Sequence, residues 1–180
     1  HIDVYLLHAF DAETPLEETL GAMDDLVHQG KVRYTGCCNF SALQVAEGLW
    51  CSDLKNLISF TCIQPQYNLL NRPEVEDELM ALCRQHGLGM MTYSPLAIGL
   101  LSGRFRRGQL LPEDTPWGRG KYNFEHAMIE QTDMVVQRLI EIAARRGKTP
   151  AQVAIAWILD HEEVTAPITG PDLPVHVDEV

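Results

Sequence analysis

Gly30-Lys31-Val32-Arg33-Tyr34-Thr35-Gly36-Cys37-Cys38-Asn39-Phe40-Ser41-Ala42-Leu43-Gln44 decides the fold class. Gly30 suits the left-handed stop of a preceding helix. The run over 32–36 reads as a strand. Ser41-Ala42-Leu43-Gln44 is a capping box, in which the Ser41 hydroxyl accepts from an orphan backbone N–H and Gln44 reaches back. The stretch is therefore helix end, strand, helix start, with Cys38 and Asn39 left at the C-terminal end of the strand.

The same rhythm runs outward in both directions. Further strand-like runs fall at 4–7, 60–64, 88–93 and 164–169, several too apolar for simple alternation, which predicts burial on both faces as in parallel sheets. Thr14-Pro15-Leu16-Glu17 is a second capping box, with Leu16, Leu20, Met23 and Val27 on one face of the helix it opens. The helix after Ser41 carries Leu43, Ala46, Leu49 and Trp50 as its apolar positions. Asn71-Arg72-Pro73-Glu74 opens a third helix, ended by Gly87. A fourth spans 129–146, with Val136, Leu139, Ile140 and Ala143 inward and Arg145 and Arg146 suiting its negative end. Thr149-Pro150-Ala151-Gln152 caps a fifth, and the residues from Pro174 read as the opening of another. Residues 100–128 break the rhythm: they mix Gly and Pro with Arg104, Arg106, Arg107 and Arg119 and have little periodicity. A segment of that length is expected to be functional or mobile, such as a lid or clamp.

Strands alternating with helices imply a parallel α/β sheet. No GxGxxG follows a strand, so the dinucleotide fingerprint of an open doubly wound sheet is absent. A closed (β/α)8 barrel needs eight strands and typically ~250 residues. Five strand–helix units in 180 residues therefore read as the later part of such a barrel. The whole of 1–180 is expected to be one partial barrel domain, truncated at both ends.

Bulk composition narrows the partners. A formal charge of −11 argues against nucleic acid and anionic membranes, since both require a basic face. No apolar run is long enough to span a bilayer, and no signal or transit segment is visible. Five cysteines form neither a CxxC pair nor a zinc spacing, which fits reduced thiols in the cytoplasm. No metal is expected. The first strand should present an unpaired apolar edge through which chains self-associate.

In barrels of this kind the site lies at the C-terminal strand ends. Those ends give His8, Cys38-Asn39, Gln64 with Gln66, Tyr93-Ser94 and Gly170. A metal hydrolase would place several His and carboxylates there, and a glycosidase two facing carboxylates; Asp11 alone comes close. Amides, an aromatic ring and a nearby basic segment suit a flat, phosphate-bearing organic cofactor better. Structural roles stay open for each residue: His8 bonding a neighbouring loop, Asn39 capping the helix at Ser41, Tyr93 packing with its hydroxyl in water, and Cys37-Cys38 filling space. Gln64 is harder to place so simply, because a buried amide demands partners.

Several stretches, in order and at matching intervals, resemble the aldo-keto reductases. They are Asp3-Val4-Tyr5-Leu6-Leu7-His8, Gly30 to Gly36 with Asn39-Phe40-Ser41, Gln64-Pro65-Gln66-Tyr67-Asn68, Tyr93-Ser94-Pro95-Leu96 with Gly99-Leu100, and Lys148-Thr149-Pro150-Ala151-Gln152-Val153-Ala154 to Trp157. The long segment after Tyr93 resembles the branch holding potassium-channel β-subunits and bacterial aldehyde reductases. The resemblance implies a (β/α) barrel that binds NADP(H) and reduces aldehydes or ketones, with a small carbonyl compound as substrate. It makes His8 the histidine that orients the carbonyl and assists proton delivery. Cys38, Asn39 and Gln64 match the residues around the nicotinamide carboxamide, and Tyr93 matches the ring stacked on it. Ser94, Pro95, Leu96, Ala97 and Ile98 would wrap the pyrophosphate, and Arg104 and Arg119 would pair with phosphates. Gly170 and Asp172 fall beside the adenosine phosphate.

Three departures follow from the same comparison. Cys38 stands where the family usually has serine. Asp172 would repel a 2′-phosphate, which makes NAD the alternative to NADP. The family's catalytic Asp, Tyr and Lys would precede His1, and none of Tyr34, Tyr67 or Tyr122 matches the tyrosine. The resemblance thus implies an oxidoreductase whose complete chain is active and whose residues 1–180 alone are not. The alternatives are a cofactor-binding regulatory subunit and an unrelated barrel hydrolase.

Overall fold

The computed structural model describes residues 1–171 and 174–178. Its strands are β1 (Ile2–Leu7), β2 (Val32–Cys38), β3 (Phe60–Gln64), β4 (Gly89–Tyr93) and β5 (Val164–Ile168), and they form one sheet in sequence order. The β1–β2, β2–β3 and β3–β4 pairs are parallel. Parallel neighbours need a crossover connection, which a hairpin cannot supply. Helices provide it: α1 (Leu16–His28), α2 (Ala42–Lys55) and α3 (Met80–His86) follow the first three strands. Between β4 and β5 lie α4 (Phe124–Ala127), α5 (Glu130–Arg146) and α6 (Pro150–Leu159), and α7 (Pro174–Asp178) follows β5. No helix among the described residues is long and apolar enough to cross a membrane.

The helix signals were met in most places. Ser41 and Thr149 cap α2 and α6 with complete capping boxes, and Pro150 stands in the first turn of α6. Gly87 and Gly147 close α3 and α5 in the left-handed conformation. Thr14 is a correction: the N-cap of α1 is Pro15, one residue later, with no side-chain cap, and the Thr14 hydroxyl donates to Asp11 Oδ2 (2.7 Å). Glu17, the other half of the expected box, pairs with Lys55 at 2.9 Å. A second correction concerns α2, whose buried positions are Val45, Gly48 and Ser52, while Leu43 and Trp50 are exposed. Gly48 explains the rotation, since a Cβ there would lie 2.6 Å from the Phe60 ring. The helix expected after Pro73 begins with a π-helical turn, Val75–Leu79, before α3.

The chain divides into two compact units. The first holds residues 1–66, 72–93 and 162–166. Its core includes Leu20, Met23, Val32, Val45, Phe60, Ile63 and Met90, all buried. Gly36 is required by close strand packing, because a Cβ there would stand 2.4 Å from the Cys62 carbonyl oxygen. The expectation that strands are buried on both faces fails for β1, the sheet's edge, where Ile2, Val4 and Tyr5 are exposed.

The second unit holds residues 67–71, 94–161 and those from 167 onward. Its core joins Leu100, Leu101, Phe105, Trp117 and Met128 to Val136 and Leu139 of α5 and Ala154 of α6. Residues 100–128, expected to be functional or mobile, supply much of a packed interior. Each large side chain so buried is worth about 1.5–3 kcal/mol. The same segment is pinned to α5 by Arg106, whose Nε and Nη2 donate to Asp133 at 2.7 and 3.0 Å.

Candidate functional site

In the first unit, the C-terminal ends of four neighbouring strands carry His8, Cys38 with Asn39, Gln64 and Tyr93. Their main chains are tied across the sheet: Asn39 N–H donates to Gln64 O (3.4 Å) and Tyr93 N–H to Pro65 O (3.0 Å). Asn39 sits at φ 57, a left-handed conformation that Asn tolerates far better than most residues. That turn sends its side chain sideways rather than toward α2. Asn39 Nδ2 donates to His8 O (3.0 Å), and the Tyr93 hydroxyl donates to Asn39 Oδ1 (2.8 Å). Asn39 therefore caps no helix, and the Tyr93 hydroxyl is bonded to protein.

Gln64 meets the end of β2, with Cys38 Sγ donating to its Oε1 at 3.5 Å, a long contact typical of a weak thiol donor. Burial pushes the Cys38 thiol up, and the Tyr93 phenol is raised by burial and then by Cys38 and Glu74. Burial also raises Cys37 and Cys62, and it lifts Cys83 to about 11. These thiols and the phenol are all neutral near pH 7, so the rim offers uncharged amides, one thiol and one aromatic ring.

The His8 ring makes no hydrogen bond among the described residues. It lines a pocket of about 180 Å³ with Phe10, Asp11, Thr14, Leu16 and Phe40. Phe10 and Phe40 meet edge to face at 5.4 Å. Asp11 is held by the Thr14 hydroxyl and the Glu13 N–H (2.9 Å), which keep its carboxyl below the usual range. Phe10 and Phe40 were missed as site neighbours, and no spacing rule points to them.

The second unit holds the turn that follows Tyr93. Ser94, Ala97 and Ile98 have φ of 56, 48 and 56°, and Gly99 follows at 85°. A left-handed β-branched residue such as Ile98 is a backbone outlier costing on the order of 1–3 kcal/mol, sustained only where surroundings enforce it. The enforcing contacts are present: Asn68 Nδ2 holds Ser94 O (2.9 Å), Trp117 Nε1 holds Ile98 O (2.8 Å), and Ala97 N–H closes onto Ser94 O (3.0 Å). Leu101 N–H bonds Leu96 O at 3.1 Å. The N–H groups of Leu96, Ile98 and Gly99 have no acceptor among the described residues, and Pro95 has none to offer. Asn68 was quoted only as part of a motif; it is fully buried, and its setting between Tyr67 and Leu69-Leu70 was the available signal, since a buried amide must be satisfied.

The remaining candidates lie in the second unit. Arg104 Nη1 stands 3.2 Å from His176 Nε2, and Arg119 Nη2 donates to Asp114 O (2.9 Å). Gly170 follows β5 with open space where a Cβ would be. Asp172 lies outside the described residues. Among those described, no cluster of three or more His, Cys, Asp or Glu could hold a metal ion.

Sequential strands and crossover helices, with amides and a tyrosine at the strand ends, define an α/β protein with a polar rim at one end of its sheet. The chain belongs to the Aldo/keto reductase family, whose model it matches over residues 1–180. The fold of that family is a (β/α)8 barrel, and the five strands and their helices are part of it. Among curated proteins it is similar to one named "Probable voltage-gated potassium channel subunit beta" from Arabidopsis thaliana, at 34% identity over 99% of this chain and 55% of that protein. A protein of the same name from Oryza sativa subsp. japonica is 36% identical over 94% of this chain and 52% of its own length. The chain thus spans about half the length of these relatives.

Proposed function

We propose that the complete protein is an NADP(H)-dependent oxidoreductase that reduces aldehydes or ketones, with small carbonyl compounds as substrates. The observation that carries this reading is the bonded set His8 O, Asn39 and Tyr93 beside Gln64, at adjoining strand ends of a family member. Two neutral side-chain amides and an aromatic ring fit a flat ring bearing a carboxamide. When bound, the nicotinamide supplies the hydride. Asn39 and Gln64 would hold its carboxamide and Tyr93 would pack against its face, an orienting role that fixes one reacting geometry. His8, with its ring free in the Phe10–Phe40 pocket, would hydrogen-bond the substrate carbonyl.

For the second unit we propose separately that Ser94–Ile98 presents backbone N–H groups to phosphate, which unengaged N–H groups in a tight turn favour. Arg104 and Arg119 would add cationic contacts, and NAD remains the alternative cofactor.

Residues 1–180 alone are expected to give no turnover. Tyr34 lies exposed on β2, Tyr67 is buried against His161 with its hydroxyl 3.2 Å from Nε2, and Tyr122 packs on Trp117. None of the three matches the family's catalytic tyrosine. The test is consumption of NADPH and NADH by the full natural chain with a broad aldehyde and ketone panel. Turnover supports the reading; tight cofactor binding with negligible turnover would favour a regulatory subunit, the alternative that the relatives' printed names suggest. No binding of either cofactor would overturn both.

A further inference from the structure

The hydroxyl of Tyr93 is not needed for an aromatic ring to pack on a flat ligand, yet it is bonded. His8 O is a carbonyl and can only accept, so the Asn39 amide must turn its nitrogen toward it. Asn39 Oδ1 is then left facing the Tyr93 hydroxyl, which donates to it at 2.8 Å. The chain of bonds runs from the end of β1 through the end of β2 to the end of β4, and each member has one arrangement. Asn39 retains one N–H and one lone pair for a ligand, at fixed positions. The phenol stays protonated near neutral pH, so the donor is permanent.

Resting on the cofactor reading above, we propose that Tyr93 is a positioning residue: its hydroxyl locks the Asn39 amide so that the rim recognises the carboxamide of the nicotinamide. The ring and the amide are held by the same bond. Removing the hydroxyl leaves the ring but frees Asn39 to rotate about its bond to His8, and it leaves Oδ1 short of a donor. The consequence is a loss of discrimination between a carboxamide and a group of similar shape that lacks the N–H donors.

The experiment compares binding of NADPH and of its reduced 3-acetylpyridine analogue to the full natural chain, by fluorescence titration, for wild type, Tyr93→Phe and Tyr93→Ala. Loss of one hydrogen-bonded lock is expected to weaken NADPH binding by roughly 3- to 10-fold in Tyr93→Phe, while binding of the acetyl analogue changes less than twofold. Tyr93→Ala, which loses the ring as well, should weaken both ligands. Equal weakening of the two ligands in Tyr93→Phe, or no change for either, would overturn the lock while leaving the cofactor reading standing. Failure of wild type to bind NADPH would instead remove the cofactor reading, and the lock with it.

Discussion

The rim of the first unit and the 100–128 segment of the second are both irregular in sequence, and they are stabilised in opposite ways. At the rim, Asn39, Gln64 and Tyr93 stay at least partly exposed and are held by hydrogen bonds: Asn39 to His8 and Tyr93, and the buried Cys38 to Gln64. In the 100–128 segment apolar residues do most of the holding, with Leu101 and Trp117 almost fully buried and the Arg106–Asp133 pair as a polar staple. The contrast shows that lack of periodicity does not mean lack of core. The rim keeps bonding capacity in reserve at Asn39, whereas the packed segment closes on itself.

The strongest way to break the contrast is to remove the apolar anchor. Trp117→Ala deletes a side chain that packs on Tyr122 and Phe124 and bonds Ile98 O. A loss of about 3–5 kcal/mol is expected in chemical denaturation. A loss below about 1 kcal/mol would mean that the segment is mobile, as its lack of periodicity allows.

A smaller effect is expected at the polar staple of the same segment. Hydrogen bonding from Arg106 holds the Asp133 carboxyl below the usual range, against the opposing effect of burial. A carboxyl depressed in the folded state adds stability above its unfolded value of about 3.9, and this is lost as pH falls through the folded value. Asp133→Asn should therefore cost on the order of 1 kcal/mol at neutral pH. Thermal melts of the two proteins should converge below about pH 4; a gap that persists in acid would assign the effect to packing.

The smallest effect sharpens the rim side. Thr92 Oγ1, one residue before Tyr93, is the buried side-chain polar atom without a partner among the described residues. Replacing an unsatisfied hydroxyl by a methyl of the same shape removes a desolvation cost, so Thr92→Val should be neutral or stabilise by about 1 kcal/mol. A clear loss in melting temperature would reveal a partner such as bound water.

Much of the fold was legible because its signals are local. The Ser41 and Thr149 boxes, the glycine stops and the strand runs each depend on residues within a few positions. Rotation of α2 was not legible: Leu43 and Trp50 are more apolar than Gly48, and the close approach of Phe60 is what turns Gly48 inward. The Thr14 box failed because the helix begins one residue later, with Pro15 as its N-cap, while Thr14 joins the turn closed on Asp11, three residues upstream. At the rim, the residue types at strand ends could be read, but the Asn39–Tyr93 bond joins positions 54 apart in sequence. Its geometry also rests on the left-handed turn at Asn39. Propensity permits such a turn without demanding it.

The unequal shielding of the five thiols has a practical outcome for anyone wishing to watch this protein. Cys37, Cys38, Cys62 and Cys83 are buried, whereas Cys51 on α2 is only partly covered. Maleimide dyes react with thiolate, so the sheltered four are slow partners and Cys51 becomes a natural attachment point. Its sequence neighbour Trp50 is exposed and can quench or excite a dye placed there. Within residues 1–180, labelling is thus expected to favour one site on α2, Cys51, without any mutation.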